Sequence, residues 1–253
     1  GSRWAPLSNW ATAIPATRWL LHHVVGIERR RPLPSFAPVS FTQWFLMRGA
    51  SPPGTKGSVA LFPDTFMNYH YPEVGMAATR LLEWLGYQVI LAEAGCCGRT
   101  LISKGLLHEA SRCARATVER LSQYVRSGIP IVGCEPSCLL TLRDEVPELA
   151  EGPEAEAVAR GSFLLEEFLV GRRGDCEGVF RPTEGRVLVH AHCHQKALVG
   201  TRPTLEALRL IPGLSVKEID AGCCGMAGSF GFEREHYDLS VAIGRQRLFP
   251  AIE

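Results

Sequence analysis

Two short stretches of this 253-residue chain carry adjacent cysteines in almost the same setting. EAGCCG contains Cys96 and Cys97, and DAGCCG, in the second half of the chain, contains Cys223 and Cys224. Two neighbouring thiols on one turn can direct both sulfur atoms at a single object. Thiolates are the ligands that zinc and iron–sulfur clusters prefer in proteins. The repeat therefore predicts two related thiol sites.

Each CCG turn follows a similar order of elements. In both copies a short apolar segment, a helical segment and a second apolar segment precede the turn, which is the pattern of a βαβ unit. Such units build parallel sheets, and ligands bind at the carboxyl ends of parallel strands. Gly98 and Gly225 close the two turns and can take the positive φ that lets the backbone pass close to a bulky group. We therefore predict two duplicated, Rossmann-like modules of the α/β class.

Further cysteines follow other predicted strands. Cys134 and Cys138 come after the apolar segment 129–133, and Cys193 follows the segment 186–190. The carboxyl ends of parallel strands meet at one edge of a sheet, so these thiols are expected near the CCG pairs. The first metal centre is predicted to use Cys96, Cys97 and Cys138, with Cys134 as a possible fourth ligand. The second is predicted to use Cys193, Cys223 and Cys224.

The remaining cysteines and the composition limit the alternatives. Cys113 falls in the middle of a predicted helix, where a small apolar role is expected, and Cys176 falls in a Gly/Arg-rich stretch, where we expect a surface thiol. Nine cysteines cannot all pair within one chain, and no secretory signal is recognisable. Metal binding or redox chemistry is therefore favoured over structural disulfides. A net charge of +1 gives no reason to expect a nucleic-acid partner.

Histidines surround Cys193 in the segment HAHCHQKAL. Alternate residues of a strand share a face, so His190, His192 and His194 could project together. His192 and His194 are candidates for contact with a metal or a substrate, and the alternative is one structural histidine that bonds the backbone and two exposed ones. Lys196 follows closely, and its charge could stabilise an anionic cluster or substrate.

Together these motifs resemble a known family. LFPDTFMNYHYPEVG, EAGCCGRTLISKG, EPSCLLTLRDE, HAHCHQKAL and DAGCCGMAGSFGFE resemble the cysteine-rich CCG domain that occurs in heterodisulfide reductase, in the glycolate oxidase iron–sulfur subunit and in anaerobic glycerol-3-phosphate dehydrogenase. Within this family, the nearer resemblance is to the C-terminal part of FAD-linked D-2-hydroxyacid dehydrogenases, of the D-lactate and D-2-hydroxyglutarate type.

The resemblance implies an electron-transfer module. It implies a [4Fe–4S] cluster or its non-cubane variant, with electrons passing from a flavin towards a quinone or other acceptor. FAD would belong to a partner domain, alongside ferredoxin-type domains or subunits. The chain alone is therefore not expected to be a complete enzyme.

The chain departs from the family pattern at both sites. The family has a cysteine after the first strand, where this chain has Asp64, so Asp64 is a further candidate ligand. The spacing between Cys134 and Cys138 is C-x3-C instead of C-x2-C, and the chain reaches Glu253 before a last cysteine motif. Each module therefore offers three or four thiolates instead of five.

The predicted organisation has four parts. Residues 1–54 form a helical and extended N-terminal segment, separate from the modules and expected to dock on this or a neighbouring domain, and residues 55–150 form the first module. Residues 151–184 contain an amphipathic helix over 153–171 and a flexible linker, RRGDCEGVF. Residues 185–253 form the second module, which is expected to be truncated.

Two other functions remain open at this point. One is a zinc-stabilised structural or docking module that carries no electrons. The other is dithiol–disulfide chemistry at the CCG pairs, which would require a lowered thiol pKa at Cys96 or Cys223. The expected location is the cytoplasm, at most with a peripheral association with the inner face of a membrane.

Overall fold

The computed structural model describes residues 4–253 and contains two parallel sheets. The first sheet consists of four strands: β1 (Ser58–Leu61), β2 (Gln88–Leu91), β3 (Ile131–Gly133) and β4 (Ser162–Leu164). Their order is β2-β1-β3-β4, and each neighbouring pair is parallel. Parallel neighbours require a crossover connection, which the helices between the strands supply. The expected α/β fold with a parallel sheet is confirmed.

The second sheet pairs β5 (Gly185–Val189) with β6 (Leu214–Glu218), again in parallel. The small core beside it contains Ile219, Ala221 and Leu248. The α-helices of the chain, in order, are α1 (Ala5–Ala13), α2 (Pro15–Leu20), α3 (Phe41–Met47), α4 (Thr65–Tyr69), α5 (Pro72–Trp84), α6 (Arg99–Ser103), α7 (Leu107–Arg126), α8 (Pro136–Arg143), α9 (Glu145–Ala150), α10 (Pro153–Arg160), α11 (Leu165–Gly171), α12 (Cys193–Leu198), α13 (Arg202–Leu208) and α14 (Tyr237–Ile252). Short π and 3-10 turns cover Leu21–Val25, Arg173–Cys176 and Phe230–Phe232. No helix among residues 4–253 is long and apolar enough to cross a membrane.

The first sheet separates two hydrophobic cores. Successive side chains of a strand point to opposite faces, so Ala60 and Phe62 enter one core while Val59 and Leu61 enter the other. The first core lies against α7, α8, α9 and α10, and we call this side of the sheet the α7 face. The second core lies against α3, α5 and α11, and we call this side the α5 face.

Residues 153–171 do not form the single helix that their amphipathic pattern predicts. They form α10, then strand β4, then α11. Gly161 ends α10, and its carbonyl accepts a hydrogen bond of 2.8 Å from the Ile131 N–H of β3. The backbone of residues 162–164 then pairs with β3, which satisfies strand hydrogen bonds that a continuous helix would leave unmade.

The segment after α11 is packed and does not behave as the flexible linker that its composition predicts. Cys176 is 4% exposed and belongs to the core on the α5 face, so the expectation of a surface thiol is wrong. The neighbouring Asp175 accepts a hydrogen bond from the Tyr87 hydroxyl and pairs with Lys56 at 2.9 Å. These contacts with the edge of the first sheet hold the turn in place.

The N-terminal segment is helical as expected, but it contacts both modules. Phe41 of α3 is completely buried against α5, where a Cβ added to Gly75 would lie 2.6 Å from the Phe41 ring. The Glu28 N–H donates to the Phe232 carbonyl in the second module at 2.7 Å. The segment therefore docks on this chain, and its apolar and backbone groups complete the packing of both modules.

Candidate metal centres

The two CCG turns have the same local geometry. Gly98 and Gly225 each have φ of +84°. The Gly98 N–H donates to the Cys96 sulfur at 3.4 Å, and the Gly225 N–H donates to the Cys223 sulfur at 3.3 Å. A backbone N–H pointing at a sulfur stabilises negative charge on it, which suits a thiolate bound to a metal. The turns lie beyond the carboxyl ends of β2 and β6, at the edge where ligands bind in parallel sheets.

Three thiols of the first module are neighbours on the α7 face. The pKa of Cys96 is raised well above its ordinary value, mainly by the neighbouring Cys97 thiol and secondly by burial. The Cys138 thiol, helped by burial, raises the pKa of Cys97 to about 12. Both shifts arise because crowded thiols resist ionisation when no cation is present, and a bound cation reverses that effect. The raised pKa of Cys96 also argues against dithiol–disulfide chemistry there, which needs a lowered one.

Side chains on one face of α7 form hydrogen bonds with the first CCG turn. The Cys96 carbonyl accepts hydrogen bonds from the Thr117 hydroxyl at 3.1 Å and from the Cys113 thiol at 2.9 Å. Thr117 is completely buried and Cys113 is half-buried. Cys113 therefore lies at the first thiol site, and the expectation that it stands apart is wrong. Its place four residues before Thr117, on the same side of an amphipathic helix, was the available sequence signal.

Cys134 lies away from the other thiols, on the α5 face. Burial, followed by the charges of Asp64 and Glu166, raises the pKa of Cys134 to about 12. Asp64 is 2% exposed, and its Oδ1 caps α4 by accepting from the Met67 N–H at 2.8 Å. Its other oxygen, Oδ2, is buried without a hydrogen-bond partner.

The start of α8 separates the two cysteines of the C-x3-C motif. Cys134 follows the end of β3, and Pro136 then begins α8. The Glu135 carboxylate accepts a hydrogen bond of 2.6 Å from the Cys138 N–H and so caps the helix. Cys138 is thereby carried into the core on the α7 face, opposite to Cys134. The structure thus places two of the predicted first-centre ligands, Asp64 and Cys134, apart from the other three.

The second set of thiols is more open. Cys193 begins α12 and is exposed, Cys223 is exposed, and Cys224 is half-buried beside the small core. The Lys196 ammonium donates to the Ala221 carbonyl just before the second CCG turn, which places its charge beside this site. His190 is not among the predicted ligands, although its Nδ1 is buried without a partner. Burial, followed by the charge of Lys196, lowers the pKa of His190, and the neutral imidazole so favoured is the form that binds metals.

His192 and His194 connect the second module to the first. Strand β5 ends at Val189, so the histidines do not share a strand face as expected. His192 Nε2 lies 3.2 Å from the Ser137 hydroxyl, beside Cys138. His194 Nε2 lies 2.9 Å from an Arg99 nitrogen, and Arg99 also pairs with Glu145. These contacts bring the loop around Cys193 against both thiol-bearing turns of the first module.

The thiols are spaced more widely than one zinc ion requires. Three thiolates bound to zinc at about 2.3 Å lie roughly 3.8 Å from one another. Among residues 4–253, no three cysteine sulfurs come within 4.8 Å of one another. In the same part of the chain only Glu233, Glu235 and His236 meet that distance, and acidic surface groups of this kind are common without a metal. Binding one zinc ion at either thiol site would therefore require the sulfur atoms to move closer together.

Alanine at the two turn glycines is expected to have unequal effects. Alanine in the left-handed region costs roughly 1–2 kcal/mol at either position. A Cβ at Gly225 would also lie 2.2 Å from the Ser240 carbonyl oxygen, whereas at Gly98 the nearest atom is 3.9 Å away. Overpacking adds about 1–3 kcal/mol, so Gly225→Ala should lower the free energy of unfolding more than Gly98→Ala. Urea unfolding of the metal-free proteins measures both, and equal losses would contradict the close approach of Ser240 to Gly225.

Comparison with known proteins agrees with this arrangement. The family described as "Cysteine-rich domain" (CCG) matches residues 59–143 and 187–251, one range for each thiol site. A subunit of anaerobic glycerol-3-phosphate dehydrogenase from Escherichia coli (strain K12) is 35% identical over 98% of this chain, and the chain spans 63% of its length. No solved structure gave a significant match.

Two further relatives resemble about three quarters of the chain. D-2-hydroxyglutarate dehydrogenase from Pantoea ananatis is 31% identical over 77% of this chain and 19% of its own length. Lactate utilization protein A from an Exiguobacterium strain is 30% identical over 76% of this chain and 79% of its own length. The repeated thiol turns, the parallel sheets and these similarities agree, and the chain belongs to the cysteine-rich CCG domain family.

Proposed function

We propose that this chain is an iron–sulfur electron-transfer module of a flavin-linked dehydrogenase. The observation that carries the proposal is the group of neighbouring thiols on the α7 face, Cys96, Cys97 and Cys138, at the edge of the sheet where its parallel strands end. Cys193, Cys223 and Cys224 would hold a second centre at the open site. The match to the cysteine-rich domain family and the similarity to dehydrogenases support an iron–sulfur cluster over a single zinc ion.

The residues around the thiols fit such a group. When bound, an iron–sulfur cluster supplies reversible one-electron transfer. The N–H groups of Gly98 and Gly225 donate to sulfur and would stabilise its negative charge. Lys196 places a positive charge beside the second site, and Arg99 follows the first CCG turn directly. Because the crowded thiols are protonated without metal, loading the sites must release protons.

The relatives support the partners that we propose. Their names describe dehydrogenases or a lactate utilization protein, and glycerol 3-phosphate and 2-hydroxy acids both carry a hydroxyl group to be oxidised. We infer that a flavin-containing domain or subunit removes electrons from such a substrate and that ferredoxin-type partners share the route. This module would then pass the electrons towards a quinone or another acceptor.

A zinc-stabilised docking module is the second candidate. It is favoured by the first centre, where the three thiols Cys96, Cys97 and Cys138 are one short of the four cysteines that a [4Fe–4S] cluster takes. The exposed thiols Cys193 and Cys223 would suit such a role only if a partner covered them.

Metal analysis of anaerobically purified protein separates the two functions. We expect iron and acid-labile sulfide in comparable amounts, with broad visible absorption that bleaches on reduction and returns on oxidation. A redox titration would then give the potential of each centre. Colourless protein with one zinc ion per site would instead assign a structural role, and protein that binds neither metal after reconstitution with iron and sulfide would contradict both functions.

A further inference from the structure

Cys113 is placed to act on the first thiol site from α7. Its sulfur donates to the Cys96 carbonyl at 2.9 Å and would lie 4.0 Å from a Cβ added to Gly98. The pKa of Cys113 is raised mainly by burial, and the Cys96 thiol is close enough to raise it further. The hydrogen bond to the carbonyl contributes only about 1 kcal/mol. A rotation about χ1 is therefore an inexpensive way to turn this sulfur towards a bound group.

The first site needs such a donor. Without Cys113, the thiols on the α7 face are Cys96, Cys97 and Cys138. A [4Fe–4S] cluster takes four cysteines. Asp64 does not fill the gap, because its Oδ1 caps α4 and it lies with Cys134, which packs on the α5 face. With Cys113 included, four thiols follow one another across the turn. Their order is Cys113, Cys96, Cys97 and Cys138.

We propose that Cys113 is the fourth thiolate ligand of the first metal centre, supplied by α7. The inference rests on the proposed function, because it assigns a ligand to the cluster inferred there. It also goes beyond it, because it predicts that the two centres differ in their ligands.

The second module has no counterpart of Cys113. A Cβ added to Gly98 would lie nearest to the Ala110 carbonyl of α7, and a Cβ added to Gly225 would lie nearest to the Ser240 carbonyl of α14. Ala110 and Ser240 therefore occupy corresponding positions in the two modules. Three residues further along each helix are Cys113 in the first module and Ile243 in the second. Ile243 lines a groove of about 360 Å³ beside Cys223. The first centre would therefore have four thiolates and the second three.

Alanine substitution in a protein with only the first site tests the assignment. The parent is Cys223→Ser/Cys224→Ser, which removes the second CCG pair and keeps all first-site thiols. Cys113→Ala in this parent should lose at least half of the bound iron and sulfide, and its reduced cluster should show an altered electron paramagnetic resonance spectrum. Cys176→Ala is the matched control, because Cys176 is a buried thiol on the α5 face and should leave both readouts unchanged. Unchanged iron and spectrum in Cys113→Ala would overturn the assignment.

Alkylation of the unsubstituted protein gives a second test that does not depend on how a variant folds. Cys113 is half-buried, so iodoacetamide should modify it in the iron-free protein and not in the reconstituted protein, as found by mass spectrometry. Equal modification in both states would overturn the assignment while the iron content still supports the proposed function. A parent without iron and sulfide after reconstitution would overturn this inference together with the first cluster of the proposed function.

Discussion

Cys138→Ser is expected to remove the metal of the first centre, whereas Cys134→Ser, four residues earlier, is expected to leave it bound. Cys138 lies beside Cys97 on the α7 face, and Cys134 lies with Asp64 on the α5 face. Serine at position 138 therefore removes one of the three neighbouring thiols of the first centre. With two centres per chain, the bound iron should fall by about half.

Serine at position 134 should act on stability instead. Cys134 packs against the core on the α5 face with the carboxyl groups of Asp64 and Glu166 nearby, and a buried hydroxyl that finds no partner costs about 1–3 kcal/mol. Iron and sulfide per chain, measured beside the free energy of unfolding of the metal-free proteins, distinguish the two effects. Equal iron loss in both variants would show that the C-x3-C motif acts as one ligand pair and would contradict the separation by the sheet.

Asp64→Asn is expected to stabilise the metal-free protein above about pH 6. Burial, supported by the charge of Glu135, raises the pKa of Asp64 to about 6 from 3.8. Between these two values the folded protein binds more protons than the unfolded chain, so the free energy of unfolding falls as the pH rises. Above about pH 6 the loss is complete and amounts to at most about 3 kcal/mol. Asparagine removes the charge and retains an oxygen that can cap α4.

Urea unfolding between pH 4 and pH 8 measures this effect. The unsubstituted protein should lose stability between about pH 4 and pH 6, and Asp64→Asn should lose less. Asp64→Ser keeps a capping oxygen, and Asp64→Ala does not. Both variants lack the carboxyl group, so both should show the flatter pH profile. Only the alanine variant should also lose the roughly 1 kcal/mol that the cap contributes. A profile for Asp64→Asn that matches the unsubstituted protein would contradict a buried, unpartnered carboxyl group.

The repeated motifs were enough to predict much of the fold and several residues of the site. The order of apolar and helical segments before each CCG pair predicted parallel strands, and β1 pairs with β2 as β5 pairs with β6. The positive φ of Gly98 and Gly225 was predicted from the turn itself. These features depend on neighbouring residues, since strand alternation, turn conformation and the direction of a crossover are set over short stretches of chain.

Other features depended on which surfaces meet in the folded chain. The pattern of residues 153–171 suits a helix, but pairing with β3 converts its middle into β4. Cys176 lies in a Gly/Arg-rich stretch and is nevertheless buried, because the turn folds back onto the core. His192 and His194 contact the first module instead of sharing a strand face. Local composition cannot predict such contacts, since they join residues distant in sequence.

The amino-acid order alone was enough to establish a duplicated parallel α/β chain with thiol turns beyond its strands, because those features are periodic and local. It was not enough to divide the thiols into ligands and bystanders. Cys134 and Cys138 are close in sequence and lie on opposite faces of a sheet, while Cys113 reaches Cys96 from another helix. Packing decides this division, because the side chain that faces a site depends on how helix and sheet fit together.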